Sequence, residues 1–138
     1  MHEWALAEAV ASATVKIANK EKIKQVTGIK IKVGELQKLD TEIFEFALRE
    51  ISQPARELLK KAKIEIEIEK GVLRCRVCGY DWNFSQAKKG LSDEDSESIH
   101  FVPELAHIFV KCPRCKSPDF EVVKGRSIWI ESVEGMKE

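Results

Sequence analysis

Residues 64–78 read Ile64-Glu65-Ile66-Glu67-Ile68-Glu69-Lys70-Gly71-Val72-Leu73-Arg74-Cys75-Arg76-Val77-Cys78. The first six residues alternate isoleucine with glutamate, the period-two pattern of a strand with one buried and one solvated face. The last four place two cysteines two residues apart, a spacing that lets both thiolates face one ion from a tight turn. A strand leading into a cysteine knuckle divides the chain into a small α+β body and a metal module.

A second pair, Cys112-Pro113-Arg114-Cys115, follows after 33 intervening residues. Gly79 and Pro113 suit such knuckles, because glycine reaches positive φ and proline presets a turn. Two facing knuckles supply a tetrahedral site of four thiolates with no open position, the usual form of structural zinc. Rubredoxin-type iron uses similar knuckles, so the spacing leaves iron open beside zinc. Disulfides are the poorer reading in a reducing cytosol. A closed site binds no substrate, and its role is to fold the segment around it.

Outward from this module the pattern alternates between helix and strand. Residues 3–20 carry Leu6, Ala9, Val10, Ala13 and Ile17 at helical spacing. Val26–Val33 switches to period two, with Ile29, Ile31 and Val33 against Lys30 and Lys32. Asp40 or Thr41 is placed to cap a second helix with an apolar face of Ile43, Phe44, Ala47, Leu48 and Ile51. Pro54 begins a further helical turn. The lysines of one strand and the glutamates of the other are opposite in sign, so if the two strands pair, Lys–Glu contacts add roughly 0.2–1 kcal/mol each. Beyond the second knuckle, Phe120, Val122 and Val123 lead through Gly125 to a last strand at residues 127–131. The expected fold is α+β: a sheet of about three strands with two helices over residues 1–70 and 119–138, and a zinc-ribbon-like four-cysteine module inserted at 71–118.

Composition narrows the function. In 138 residues, 43% apolar content allows a core, and 33% charged residues with zero net charge give no electrostatic footprint for nucleic acid or an anionic membrane. No apolar run approaches the roughly 20 residues of a membrane span, and the amino terminus lacks a signal-peptide pattern. A soluble cytoplasmic protein is expected. There is no Gly-rich phosphate loop and no open metal site with a candidate base, so no enzyme is indicated. A zinc-ribbon nucleic-acid module, favoured by Trp82 and Phe84 near the knuckles, and a rubredoxin-like electron carrier are the competing readings.

The chain opens Met1-His2-Glu3-Trp4. An α-amine, a deprotonated backbone nitrogen and the His2 imidazole can close around a square-planar ion, the preference of Ni(II) and Cu(II). Methionine is not usually trimmed before a residue as large as histidine, which keeps Met1 in the chelate. A histidine at this position is also an ordinary surface residue, and by itself does not choose between the two readings. His100 and His107 lie in apolar surroundings ahead of the second knuckle and are imidazoles that a four-thiolate site does not need. The acidic run Asp93-Glu94-Asp95-Ser96-Glu97 reads as a solvated loop or short exposed helix.

Taken together, the Met-His-Glu start, the strand ending Val33-Gly34-Glu35-Leu36, the knuckles at 75–78 and 112–115 and the closing strand resemble the HypA/HybF nickel metallochaperones of hydrogenase maturation. The long spacing between knuckles is similar to that of archaeal members. The resemblance implies Ni(II) as cargo on His2, with backbone nitrogen from the amino-terminal residues, Met1 among them. Glu3 either adds its backbone nitrogen or tunes the site through its carboxylate, and a histidine of the insert, His100 or His107, approaches the same ion. It implies structural Zn(II) on Cys75, Cys78, Cys112 and Cys115. It also implies two partners, a HypB-type nucleotide-hydrolysing nickel chaperone and the large subunit of a [NiFe]-hydrogenase.

Overall fold

A computed structural model describes residues 2–88, 92–101 and 110–137, with side chains for all of these except 87, 88, 96, 99 and 100. Two compact units emerge. The first comprises Met1–Lys32, Leu39–Glu67 and Ile128–Glu138, and the second Val33–Lys38 and Ile68–Ser127.

In the first unit, helix α1 (Glu3–Glu21) leads into strand β1 (Ile23–Gly34). Lys22 ends α1 in the left-handed conformation, its N–H returning to the Ala18 carbonyl. Helices α2 (Thr41–Glu50) and α3 (Gln53–Leu58) precede strand β2 (Lys63–Glu69), and strand β6 (Ile128–Lys137) closes the chain. The sheet order is β2-β1-β6, a three-stranded sheet as expected, and α1 packs on α2, α3 and β6. On its charged face, Lys32 meets Glu67 at 2.8 Å and Lys30 lies 3.5 Å from Glu67 and 3.6 Å from Glu131. The lysine and glutamate rows therefore meet on one face of the sheet, with β6 supplying one more carboxylate.

Helix α1 is turned from the expected stripe. Its buried positions are Glu3, Ala7, Val10, Ala11, Thr14 and Ala18, whereas Ala9 is exposed and Leu6, Ala13 and Ile17 are half-buried. Small side chains let the helix approach its neighbours closely, and the larger ones line the margin. Thr14 satisfies its buried hydroxyl by donating to the Val10 carbonyl at 2.7 Å. On α2, Phe44, Ala47 and Leu48 are fully buried, but Ile43 is 45% exposed. Asp40 caps this helix by accepting from the N–H groups of Glu42 and Ile43, both at 3.1 Å. Ser52 does the same for α3 through Ala55 N–H.

In the second unit, a 3-10 turn (Glu35–Gln37) is followed by strands β3 (Val72–Cys75) and β4 (Asp81–Asn83), helices α4 (Phe84–Lys88) and α5 (Asp93–Phe101), and strand β5 (Phe120–Lys124). The sheet order is β4-β3-β5, both pairings antiparallel. Two segments expected in the first body lie here instead. β5 pairs with β3, because Phe120 and Val122 complete the cluster around the cysteines. Val33–Lys38 belongs to the same unit, because Leu36 is one of its core residues. That core holds Leu36, Leu73, Cys75, Trp82, Phe84, Val110, Cys112 and Phe120, with Trp82 edge-on to Phe120 at 5.6 Å. Trp82 and Phe84, 5% exposed each, are packed core rather than a stacking platform for bases. The acidic run opens α5. Among the described residues no helix is long and apolar enough to cross a membrane.

Candidate metal centre

The knuckles repeat one local geometry. Gly79 N–H bonds back to Cys75 O at 3.0 Å and Lys116 N–H to Cys112 O at 2.9 Å. Cys75 N–H then reaches Tyr80 O and Cys112 N–H reaches Ser117 O, both at 2.9 Å. Each turn needs a left-handed residue after its second cysteine: Gly79 has φ 78° and Lys116 φ 67°. The turns aim the N–H groups of Val77 and Cys78 at Cys75 Sγ, and those of Arg114 and Cys115 at Cys112 Sγ, all at 3.4 Å. β3 delivers Cys75 into the core beside Cys112, while Cys78 and Cys115 are exposed.

All four sulfurs lie within 4.8 Å of one another, with Cys75–Cys115 at 3.5 Å and Cys78–Cys112 at 3.7 Å. A tetrahedron with metal–sulfur bonds of about 2.3 Å requires sulfurs about 3.8 Å apart. The observed spacing fits that and is far from the roughly 2.05 Å of a disulfide. The inner thiols lose their protons more readily than an ordinary thiol. Cys75 is held below the ordinary thiol range by the Cys78 N–H, against its burial and with help from Val77 N–H. Burial pushes Cys112 up, but the N–H groups of Cys115 and Arg114 and the neighbouring thiols outweigh it and bring it to about 6. The outer thiols keep their protons more firmly. Tyr80 N–H lowers Cys78, yet burial and the Cys112 and Cys75 sulfurs raise it overall. Ser117 N–H lowers Cys115, yet the Cys75 sulfur and burial push it up to about 12. A cation that binds all four displaces those protons. The flanking arginines already carry carboxylate partners: Arg74 is bidentate on Asp81, and Arg76 pairs with Asp119.

At the amino terminus, His2 stands at the N-cap of α1 and its carbonyl accepts from Leu6 N–H at 3.1 Å. Glu3 opens the helix and is 4% exposed, its Oε2 accepting from the Asp40 N–H at 2.9 Å. The start of the chain is thus pinned to the cap of α2.

A family profile described as "Hydrogenase/urease nickel incorporation, metallochaperone, hypA" matches residues 1–135. The chain belongs to the HypA family. Hydrogenase maturation factor HypA of Pyrococcus horikoshii is 44% identical over 138 residues, covering 100% of this chain and 98% of the relative. The Pyrococcus furiosus factor is 41% identical over the same coverage. The factor of Methanopyrus kandleri is 30% identical over 134 residues, 96% of this chain and 92% of the relative. In fold, the chain is similar to the solution structure of the Ni metallochaperone HypA from Helicobacter pylori, with TM-score 0.62, 20% identity and full coverage of both chains.

In this HypA-family chain the four expected cysteines form one cluster, the only group of metal-ligating type among the described residues. His2 and Glu3 lie in the first unit. His100 lies in α5 of the second, its side chain outside the described atoms, and Met1 and His107 fall outside the described residues. Two contributors escaped the sequence reading. Asp40 is recognisable there as a helix cap but not as the donor to Glu3. Lys116 holds the turn position that Gly79 holds in the first knuckle, and only a strict comparison of Cys-x-x-Cys-Gly with Cys-x-x-Cys-Lys points to it.

Proposed function

We propose that this chain carries Ni(II) at its amino terminus and delivers it during maturation of a [NiFe]-hydrogenase, with a structural zinc ion held by Cys75, Cys78, Cys112 and Cys115. The observation that carries the reading is the match to a nickel-incorporation family from residue 1 to residue 135, which includes the His2 position. The ligands in this reading are the Met1 amine, the backbone nitrogen and imidazole of His2, and backbone nitrogen of Glu3, with His100 of the insert as a removable ligand and His107 as its alternative. A helix makes no i→i−4 demand on its first N–H groups, so the nitrogens of residues 2 and 3 stand outside the helical ladder. The Glu3–Asp40 bond supports the reading by fixing the backbone that carries them.

Amide and amine nitrogens bind a metal only after losing protons, so acidification releases the cargo. Copper outranks nickel at nitrogen sites, so selectivity comes from controlled access and metal supply rather than affinity. A HypB-type nucleotide-hydrolysing chaperone and the hydrogenase large subunit are the proposed partners, in the cytoplasm.

Nickel titration of the native chain, of a form with residues added before Met1 and of His2→Ala tests this. The extension turns the terminal amine into an amide, and both changes are expected to weaken binding strongly. Equal affinity in all three forms would defeat the terminal chelate. His100→Ala, titrated alone and with the nucleotide-loaded partner, separately tests the insert ligand.

A further inference from the structure

The Val33-Gly34-Glu35-Leu36 segment supplies none of the ligands proposed above, yet it is locked into the second unit. Gly34, Gly71 and Gly125 lie backbone to backbone. A Cβ on Gly34 would strike the Gly125 carbonyl, and one on Gly125 (φ 85°) would stand 2.5 Å from Gly71 Cα. A Cβ on Gly71 would stand 2.6 Å from the Leu36 side chain and 2.8 Å from that of Phe84. Two carboxylates close the stack: Glu35 Oε1 accepts from Gly71 N–H at 2.8 Å, and Glu69 Oε1 accepts from Gly125 N–H at 3.1 Å. Gly34 N–H donates to Ser127 O at 2.8 Å and Leu36 N–H to Gly125 O at 3.0 Å.

The position of this cluster matters. Gly71 immediately precedes β3 and Gly125 immediately follows β5, so it grips the end of the β3–β5 pair opposite Cys75. Along that pair, Cys75 faces Phe120 and Leu73 faces Val122, but Val72 faces Lys124, leaving an irregularity beside the cluster. A bulge leaves a residue unpaired and disrupts the ladder locally. A slip of one residue turns every side chain of a strand to the other face, which would carry the Cys75 sulfur away from its three partners.

We propose that the Gly34–Gly71–Gly125 stack, closed by Glu35 and Glu69, is a register clamp that holds β3 and β5 in the metal-ready pairing without metal, with Glu35 as its main positioning residue. The proposal rests on reading the four cysteines as a zinc site. Small four-thiolate modules commonly fold only when loaded. Here the clamp keeps the sheet assembled, so zinc can leave and return without refolding the unit.

The test is amide exchange on the full chain, zinc-loaded and after chelation under reducing conditions, together with chelator competition for zinc. Wild type is expected to bind one zinc per chain and to keep the Val72–Cys75 amides protected when stripped. Glu35→Ala is expected to lose that protection by about tenfold or more in the stripped protein only, and to bind zinc about tenfold more weakly. Glu35→Gln, which retains an acceptor oxygen, stays within about threefold of wild type. Failure of wild type to take up zinc rejects the zinc reading. Zinc uptake with unprotected Val72–Cys75 amides in stripped wild type overturns the clamp. So does a Glu35→Ala protein matching wild type, or a Glu35→Gln protein as impaired as Glu35→Ala.

Discussion

Glu3 Oε2 accepts the backbone N–H of Asp40 at 2.9 Å, so the first residue of one helix is bonded to the cap of another. Truncating Glu3 leaves that N–H without this acceptor in a part-buried place. Glu3→Ala should destabilise the chain by about 1–3 kcal/mol, and Glu3→Gln by clearly less, because an amide oxygen can replace the carboxylate. Urea unfolding of the three proteins reads the difference, and equal midpoints would show that the bond contributes nothing.

Asp40 works in both directions, since its carboxylate also accepts from Glu42 and Ile43. Asp40→Ala should cost about 0.5–2 kcal/mol as a lost N-cap, and Asp40→Asn or Asp40→Ser should recover most of it. Thermal melts of the three variants are the check.

Lys116 occupies the left-handed region at φ 67°, where Gly79 sits in the matching knuckle. Side chains are strained there by roughly 1–2 kcal/mol, part of which glycine loses again through its freer unfolded chain. Lys116→Gly should therefore stabilise the zinc-loaded protein by up to about 1 kcal/mol, a rise in melting temperature of roughly 2–4 °C. An unchanged or lower melting temperature would count against strain at this turn.

The Lys32 ammonium, by hydrogen bond and charge, holds the Glu67 carboxyl below its ordinary value of 4.5. A carboxyl lowered on folding stabilises the protein above its unfolded pKa and loses that contribution as pH falls through the folded value. Glu67→Gln should thus be slightly less stable than wild type near neutral pH. The gap should close as the pH is lowered past about 4.5 and should shrink in 1 M salt, because the pair is exposed. Urea midpoints measured against pH at two salt concentrations test the sign.

Trp82 is 5% exposed and meets Phe120 edge-on, whereas Trp4 is 47% exposed. Trp82→Ala should cost about 3–5 kcal/mol through the cavity it leaves. Trp4→Ala should cost far less. Comparable losses in the two variants would contradict the assignment of Trp82 to the core.

Much of this could be read along the chain because its causes are local. Alternation placed Ile29, Ile31 and Val33 on the buried face of β1, since strand geometry sends successive side chains to opposite faces. On β2 the same pattern leaves Ile64 and Ile66 only half-buried and Ile68 49% exposed. Asp40 announced a helix start and each Cys-x-x-Cys announced a tight turn, because both rest on bonds spanning only a few residues. That two such turns make one four-sulfur cluster followed from the ligand count a tetrahedral site requires. Where burial depends on a distant neighbour, the pattern pointed elsewhere. Ile43 looked inward but is half exposed, and α1 buries its alanines and Thr14 rather than the stripe of larger residues. Trp82 and Phe84 could have been a surface or a core, and Leu73, Val110 and Phe120 decided for the core.

By itself the sequence determined the helices and strands of the first unit, the Asp40 cap, the two cysteine turns and the resemblance that joins His2 to nickel. Each of these follows from short-range geometry or from the identity of residues in order. Only the tertiary structure decided that Glu3 is bonded to Asp40, 37 residues away. It alone placed β5 and Val33–Lys38 with the cysteines. It also alone brought three glycines from positions 34, 71 and 125 into contact. Such pairings depend on which backbones meet in space, and a linear pattern of side chains carries no term for that.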